Sequence, residues 1–106
     1  MDITCKTTPD GVTARLVGEI DHHNAAIARA ELDAMIEAHR PQRFGLDLSG
    51  VTFCDSSGLG LVMGRMKKCS SEGSTLVVID PSKEALKILQ IAGMDRILKI
   101  ERGEKR

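Results

Sequence analysis

Aromatic side chains are almost missing from this chain: no tryptophan, no tyrosine, and two phenylalanines, Phe44 and Phe53, in 106 residues. A protein that stacks nucleobases needs more rings than that. Charge of one sign is missing too, since 15 basic and 15 acidic residues cancel. Neither nucleic acid nor an anionic membrane is therefore an expected partner. No apolar run approaches the roughly 20 residues that span a bilayer, and the N-terminus carries no signal-peptide apolar core. Cys5, Cys54 and Cys69 are odd in number and show no C-x-x-C spacing, which points to a reducing cytosol and to thiols serving as small core residues. The expectation is one cytoplasmic, monomeric domain over residues 1–106, long enough for one core and not for two. There is no repeat, linker or low-complexity segment.

What is present centres on Phe53 to Lys68. A short apolar strand runs into Asp55-Ser56-Ser57, three good helix starters, and the helix that follows ends in basic residues. Asp55 and Ser56 are both suited to cap it by accepting from free first-turn amides. Ser57 then falls in the first turn with its hydroxyl near the surface, at a helix end that favours negative charge. Leu59, Val62, Met66 and Cys69 recur at helical spacing and form a stripe to bury. Gly60 and Gly64 lie on a neighbouring strip, and each costs about 1 kcal/mol relative to alanine inside a helix. Either the helix packs very closely on its sheet or it offers a flat surface to something else; the glycines by themselves favour close packing.

In chain order, Ile3, Cys5 and Thr7 alternate as an edge-like strand, and Thr8-Pro9-Asp10-Gly11 is a turn with a positive-φ glycine. Val12, Ala14, Leu16, Gly18 and Ile20 alternate as the second strand of a hairpin. After the polar loop Asp21-His22-His23-Asn24 comes a helix burying Ala28, Leu32, Met35, Ile36 and His39, capped by Asp21 or Asn24 and stopped by Pro41. Phe44, Leu46 and Leu48 form a third strand, followed by Ser49-Gly50. Ser71 to Ser74 turns, and Leu76 to Ile79 reads as a strand buried on both faces. Ser82 caps a third helix that buries Ala85, Leu86, Leu89 and Ala92 and stops at Gly93. Ile97, Leu98 and Ile100 allow a last short strand, and 101–106 reads as a mobile charged tail. The order predicts an α/β layer: a mixed sheet of four to five strands, an antiparallel N-terminal hairpin and right-handed crossovers after residues 20, 48 and 79. The loops at 21–24 and 55–57 then emerge at the same end of the sheet, where α/β folds place their sites.

Catalysis is a poor fit there. Ser57, His22 or His23, and Asp21 or Asp55 have the residue types of a nucleophile, base and orienting acid. Yet the G-x-S-x-G elbow is absent, because Asp55 stands two before Ser57. Adjacent His22 and His23 do not easily face one metal ion, and His39 lies across a helix. Gly58-x-Gly60-x-x-Met63 fails the dinucleotide fingerprint at its third glycine. No catalytic residue, metal or cofactor is expected.

Asp55-Ser56-Ser57-Gly58-Leu59-Gly60, with Gly18-Glu19-Ile20-Asp21-His22-His23, strongly resembles the anti-sigma factor antagonists, single STAS domains of bacterial regulation, and among them the anti-sigma-F branch of sporulation. Gly64-Arg65 and Ala92-Gly93-Met94 extend the likeness over nearly the whole chain. Cys54 departs from that branch, which has a larger methionine, and so does Asn24, where a small hydroxyl residue stands. The resemblance implies a STAS fold and a partner switch. The unmodified domain would capture an anti-sigma factor that is also a serine kinase, freeing the sigma factor; phosphorylation would switch binding off and a serine phosphatase would reset it. Carried over by position, Ser57 is the phosphoacceptor and Asp21 belongs to the partner-binding loop. His22, His23, Asn24, Asp55, Ser56, Gly58, Leu59, Gly60, Met63 and Gly64 lie in or beside the contact surface, with Ser56 read as a cap rather than a second phosphorylation site. The other readings are a non-phosphorylated scaffold STAS domain of a stress-signalling complex and, more distantly, a small hydrolase.

Overall fold

Thr8 closes the first turn by accepting from the Gly11 N–H at 3.1 Å, and Gly11 takes φ +155° with its α-carbon against the Arg43 carbonyl, where a Cβ would sit 2.1 Å from the oxygen. From that turn the computed structural model, which describes residues 1–102, builds a five-stranded sheet. The elements are β1 (Asp2–Thr8), β2 (Gly11–Ile20), α1 (His22–His39), β3 (Arg43–Cys54), α2 (Ser56–Ser71), β4 (Thr75–Ile79), α3 (Lys83–Ile91), a 3₁₀ turn (Met94–Arg96) and β5 (Lys99–Glu101). Strands lie in sequence order; β1 is antiparallel to β2, and β2 through β5 run parallel.

Because each crossover steps to the next strand in the same direction, right-handed connections put all three helices on one face. The core bears this out. Val12, Ala14 and Leu16 of β2, Phe44, Leu46 and Leu48 of β3, and Leu76 and Val78 of β4 share it with Ala28, Leu32 and Ile36 of α1, Leu61, Val62 and Cys69 of α2, and Ala85 and Leu89 of α3. The alternate residues Thr13, Arg15, Asp47, Val77 and Ile79 belong to the opposite face, which no helix covers among the described residues. There Arg15 pairs with Asp47 at 3.8 Å and Arg43 with Glu101. Arg43 is level with Thr75 and Glu101 with Ile79, so that second pair arches over Val77 between them. Val77 is 1% exposed as a result, and β4 is buried on both faces as its sequence predicts.

Several details differ from the sequence reading. Strand β3 does not end at Leu48 but runs through Ser49-Gly50 to Cys54, taking one extra residue opposite β2 at each of two register shifts. Such bulges twist a strand without ending it. On α2 the expected stripe is rotated: Gly58, Leu61, Val62, Arg65 and Cys69 are buried, while Leu59 and Met66 are half-buried against the core. Gly60 and Gly64 consequently turn away from the sheet, and a Cβ on either would meet nothing within 4 Å. The close approach belongs to Gly58, where a Cβ would lie 2.2 Å from Cys54 Sγ. His39 and Ala92 are exposed at their helix ends, Met35 is half-buried, and Cys5 is exposed on edge strand β1 rather than in the core. Glu101 belongs to β5 rather than to a tail; the rest of the expected mobile tail beyond Arg102 lies outside the described residues.

Candidate functional site

Two aspartates open the helices at the rim where β2 and β3 end. Asp21 caps α1, its Oδ1 accepting from the Asn24 N–H at 2.8 Å; Asp55 caps α2, its Oδ1 accepting from the Ser57 N–H at 2.8 Å. Both have the extended backbone of an N-cap. Of the alternatives open in the sequence, Asp21 and Asp55 are therefore the caps. Asn24 turns its side-chain amide back to the Glu19 carbonyl at 2.9 Å, and Ser56 is the exposed first residue of α2. The two loops are joined directly, because the Asp55 N–H donates to the Ile20 carbonyl at 3.2 Å.

Ser57 is half-buried, and among the described residues its hydroxyl has no hydrogen-bond partner, histidines included. It lies at one end of an open groove of about 550 Å³ between α1 and α2, whose lining includes His22 as well as Gly60 and Gly64. The structure thus brings Ser57, His22, Gly60 and Gly64 together. His23 is exposed in the first turn of α1, and Met63, 45% exposed, and Leu59 stand on α2 outside the groove. Gly58 is buried against Cys54. The Cys54 thiol is pushed up to about 11, first by burial and then by the Asp55 carboxylate, so it stays neutral and poorly nucleophilic. Among the described residues no group of three His, Cys, Asp or Glu side chains converges as metal donors, and no helix is long and apolar enough to cross a membrane.

Sequence reasoning missed the remaining groove residues. Ala25, Ala26 and Arg29 follow His22 on one face of α1, and Leu61, Arg65 and Lys67 continue the α2 wall. The signal was present as helical spacing counted onward from His22 and from Ser57.

Known proteins share this architecture. The STAS domain family model matches residues 2–106. An anti-sigma F factor antagonist of Paenibacillus polymyxa is 33% identical over 85% of this chain and 77% of its own length. The anti-sigma factor antagonist SpoIIAA in its unphosphorylated form superposes with a TM-score of 0.81 at 26% identity, covering 98% of this chain and 90% of that one. SpoIIAA of Bacillus in the phosphorylated form does so at 0.75 and 27%, covering 98% and 93%. Matched over nearly its whole length in both sequence and fold, this chain belongs to the STAS domain family, among the anti-sigma factor antagonists.

Proposed function

We propose that the domain is a phosphorylation-controlled binding switch of the bacterial cytoplasm. Unphosphorylated, it captures an anti-sigma factor that is itself a serine kinase and so releases the sigma factor. That kinase phosphorylates Ser57, binding is lost, and a serine phosphatase restores the first state. Asp21, His22, His23 and Asn24 from one loop, and Asp55, Ser56, Gly58, Leu59, Gly60, Met63 and Gly64 from the other loop and α2, make up the contact region. No catalytic group is assigned.

One observation carries this reading: the free Ser57 hydroxyl opens beside a helix wall of two glycines whose α-carbons face open space. A partner can approach such a wall closely, and it then meets whatever Ser57 carries. Phosphorylation adds about −1.5 to −2 charges and three acceptor oxygens, beside the Asp55 carboxylate that caps the helix. The α2 amide end tolerates that charge within the domain, whereas a docked partner would have to bury it. Loss of binding by local electrostatics, without refolding, follows. A relative solved in both phosphorylated and unphosphorylated forms with similar folds supports the same economy.

Intact mass before and after incubation with the host's anti-sigma kinase and ATP tests this, with fragmentation to map the site. One added phosphate on Ser57, absent from Ser57→Ala, is expected. Binding without any added phosphate would replace the switch with a scaffold role.

A further inference from the structure

We propose that the groove between α1 and α2 docks an acidic helix of the anti-sigma factor. This rests on the partner-binding reading above and specifies the chemistry of the segment that is bound.

The charge in the groove is one-sided. Arg29, Arg65 and Lys67 line it. Nearby, one carboxylate serves both arginines: Asp33 Oδ1 lies 2.8 Å from Arg65 Nε and Asp33 Oδ2 lies 3.9 Å from Arg29 Nε. Lys67 has no ionic partner among the described residues, unlike its neighbour Lys68, which is held by Glu37 and by Glu72 at 3.5 Å. Three cations against one anion leave a surplus of two positive charges. It rests on Arg29 and Lys67 at the surface, because the buried Arg65, 6% exposed, is the cation closest to Asp33. Two unbalanced cations facing one groove attract an anionic occupant, and that attraction is screened as salt is added.

Shape selects the kind of anion. From Ser57 to Lys67 is ten residues of α2, about 15 Å along its axis. A single phosphate would occupy one end and leave the far cations unmatched. Ala25 and Ala26 on one wall and Gly60 and Gly64 on the other keep the floor low, which lets the backbone of a third helix lie close. A helix of two to three turns with Glu or Asp on one face fits both length and charge. Ser57 stands at the end of that track, so a phosphate there would also repel the acidic helix.

The test is affinity of the purified host anti-sigma factor for the whole protein as salt is varied. Arg29→Glu/Lys67→Glu should weaken binding about tenfold or more and flatten its salt dependence. Gly64→Leu, which raises the floor without touching charge, should weaken it at any salt. Lys83→Glu/Lys87→Glu, on α3, makes the same change in net charge and should bind as wild type does. Both altered groove cations are at the surface, and circular dichroism verifies the fold. Wild-type binding that both groove variants retain would overturn this inference alone. No wild-type binding would remove the proposed function and the acidic helix with it.

Discussion

The Asp55 N–H and the Ile20 carbonyl, 3.2 Å apart, tie the N-cap of α2 to the residue that precedes the N-cap of α1. Two helix starts that are 34 positions apart in the chain thereby share one rigid rim. Each cap oxygen already holds a first-turn amide, so the rim is ordered before any partner arrives.

Removing one cap should loosen its helix without dismantling the rim. Asp55→Ala is expected to cost about 1 kcal/mol, read as a lower urea midpoint with unchanged slope. Asp55→Asn should stay within a few tenths of wild type, because its side-chain oxygen still accepts from Ser57 and the backbone bond to Ile20 remains.

Ser57→Asp should weaken binding of the anti-sigma factor, and Ser57→Ala should bind it while accepting no phosphate. Isothermal titration of both variants against the same partner separates charge from loss of the hydroxyl. An aspartate variant with full affinity would contradict the electrostatic mechanism.

The glycines of α2 should respond in opposite directions. Gly58→Ala drives a methyl into Cys54 Sγ and should destabilise by about 1–3 kcal/mol. Gly60→Ala meets open space and should stabilise by about 1 kcal/mol through helix propensity. Adding Cys54→Ala to Gly58→Ala should recover part of the loss, a coupling that a double-mutant cycle in urea measures.

Thiol reactivity should rank by environment. Cys5 is exposed, Cys54 is pushed up to about 11 and Cys69 is buried, its thiol also raised, chiefly by burial. At pH 8 only about one Cys54 in a thousand is thiolate, so iodoacetamide mapped by mass spectrometry should label Cys5 first. Raising the pH toward 11 should bring in Cys54, because its ionised fraction grows tenfold per unit.

Asp33 is the counter-ion of a buried guanidinium. Burial pulls the Arg65 pKa down and Asp33 offsets this. Asp33→Ala should cost about 1–3 kcal/mol, since it strands that cation. Arg65→Met, which removes the charge with its partner still half-exposed, should be closer to neutral. Urea denaturation of the pair decides between these outcomes.

Most of the fold was legible because two periods carried it. Alternation placed Val12 to Ile20 on the core face, and Pro41 and Gly93 marked where helices stop. The two cap loops converged because strand-to-helix junctions share an edge of a parallel sheet. Extension of β3 past Gly50 was not legible, since a bulge leaves no mark that separates it from a turn. Nor did spacing decide which way Gly60 and Gly64 face: a small shift of the buried stripe, from Leu59 and Met66 toward Leu61 and Arg65, turns them outward. Arg65 illustrates the difficulty, because a guanidinium among core positions is assigned to solvent unless its partner, Asp33 on another helix, is known.

Glu101 has a further role at the far edge of the sheet. With Arg43 it fastens the three-residue strand β5 across Val77 and along β4, whose Thr-Leu-Val-Val-Ile run is the kind of segment that self-associates when its edge is bare. The Arg43–Glu101 pair thus acts as a guard against aggregation. A chain cut short before Lys99 would present an unpaired, aliphatic β4 to its neighbours, and its solubility would fall before its core was lost.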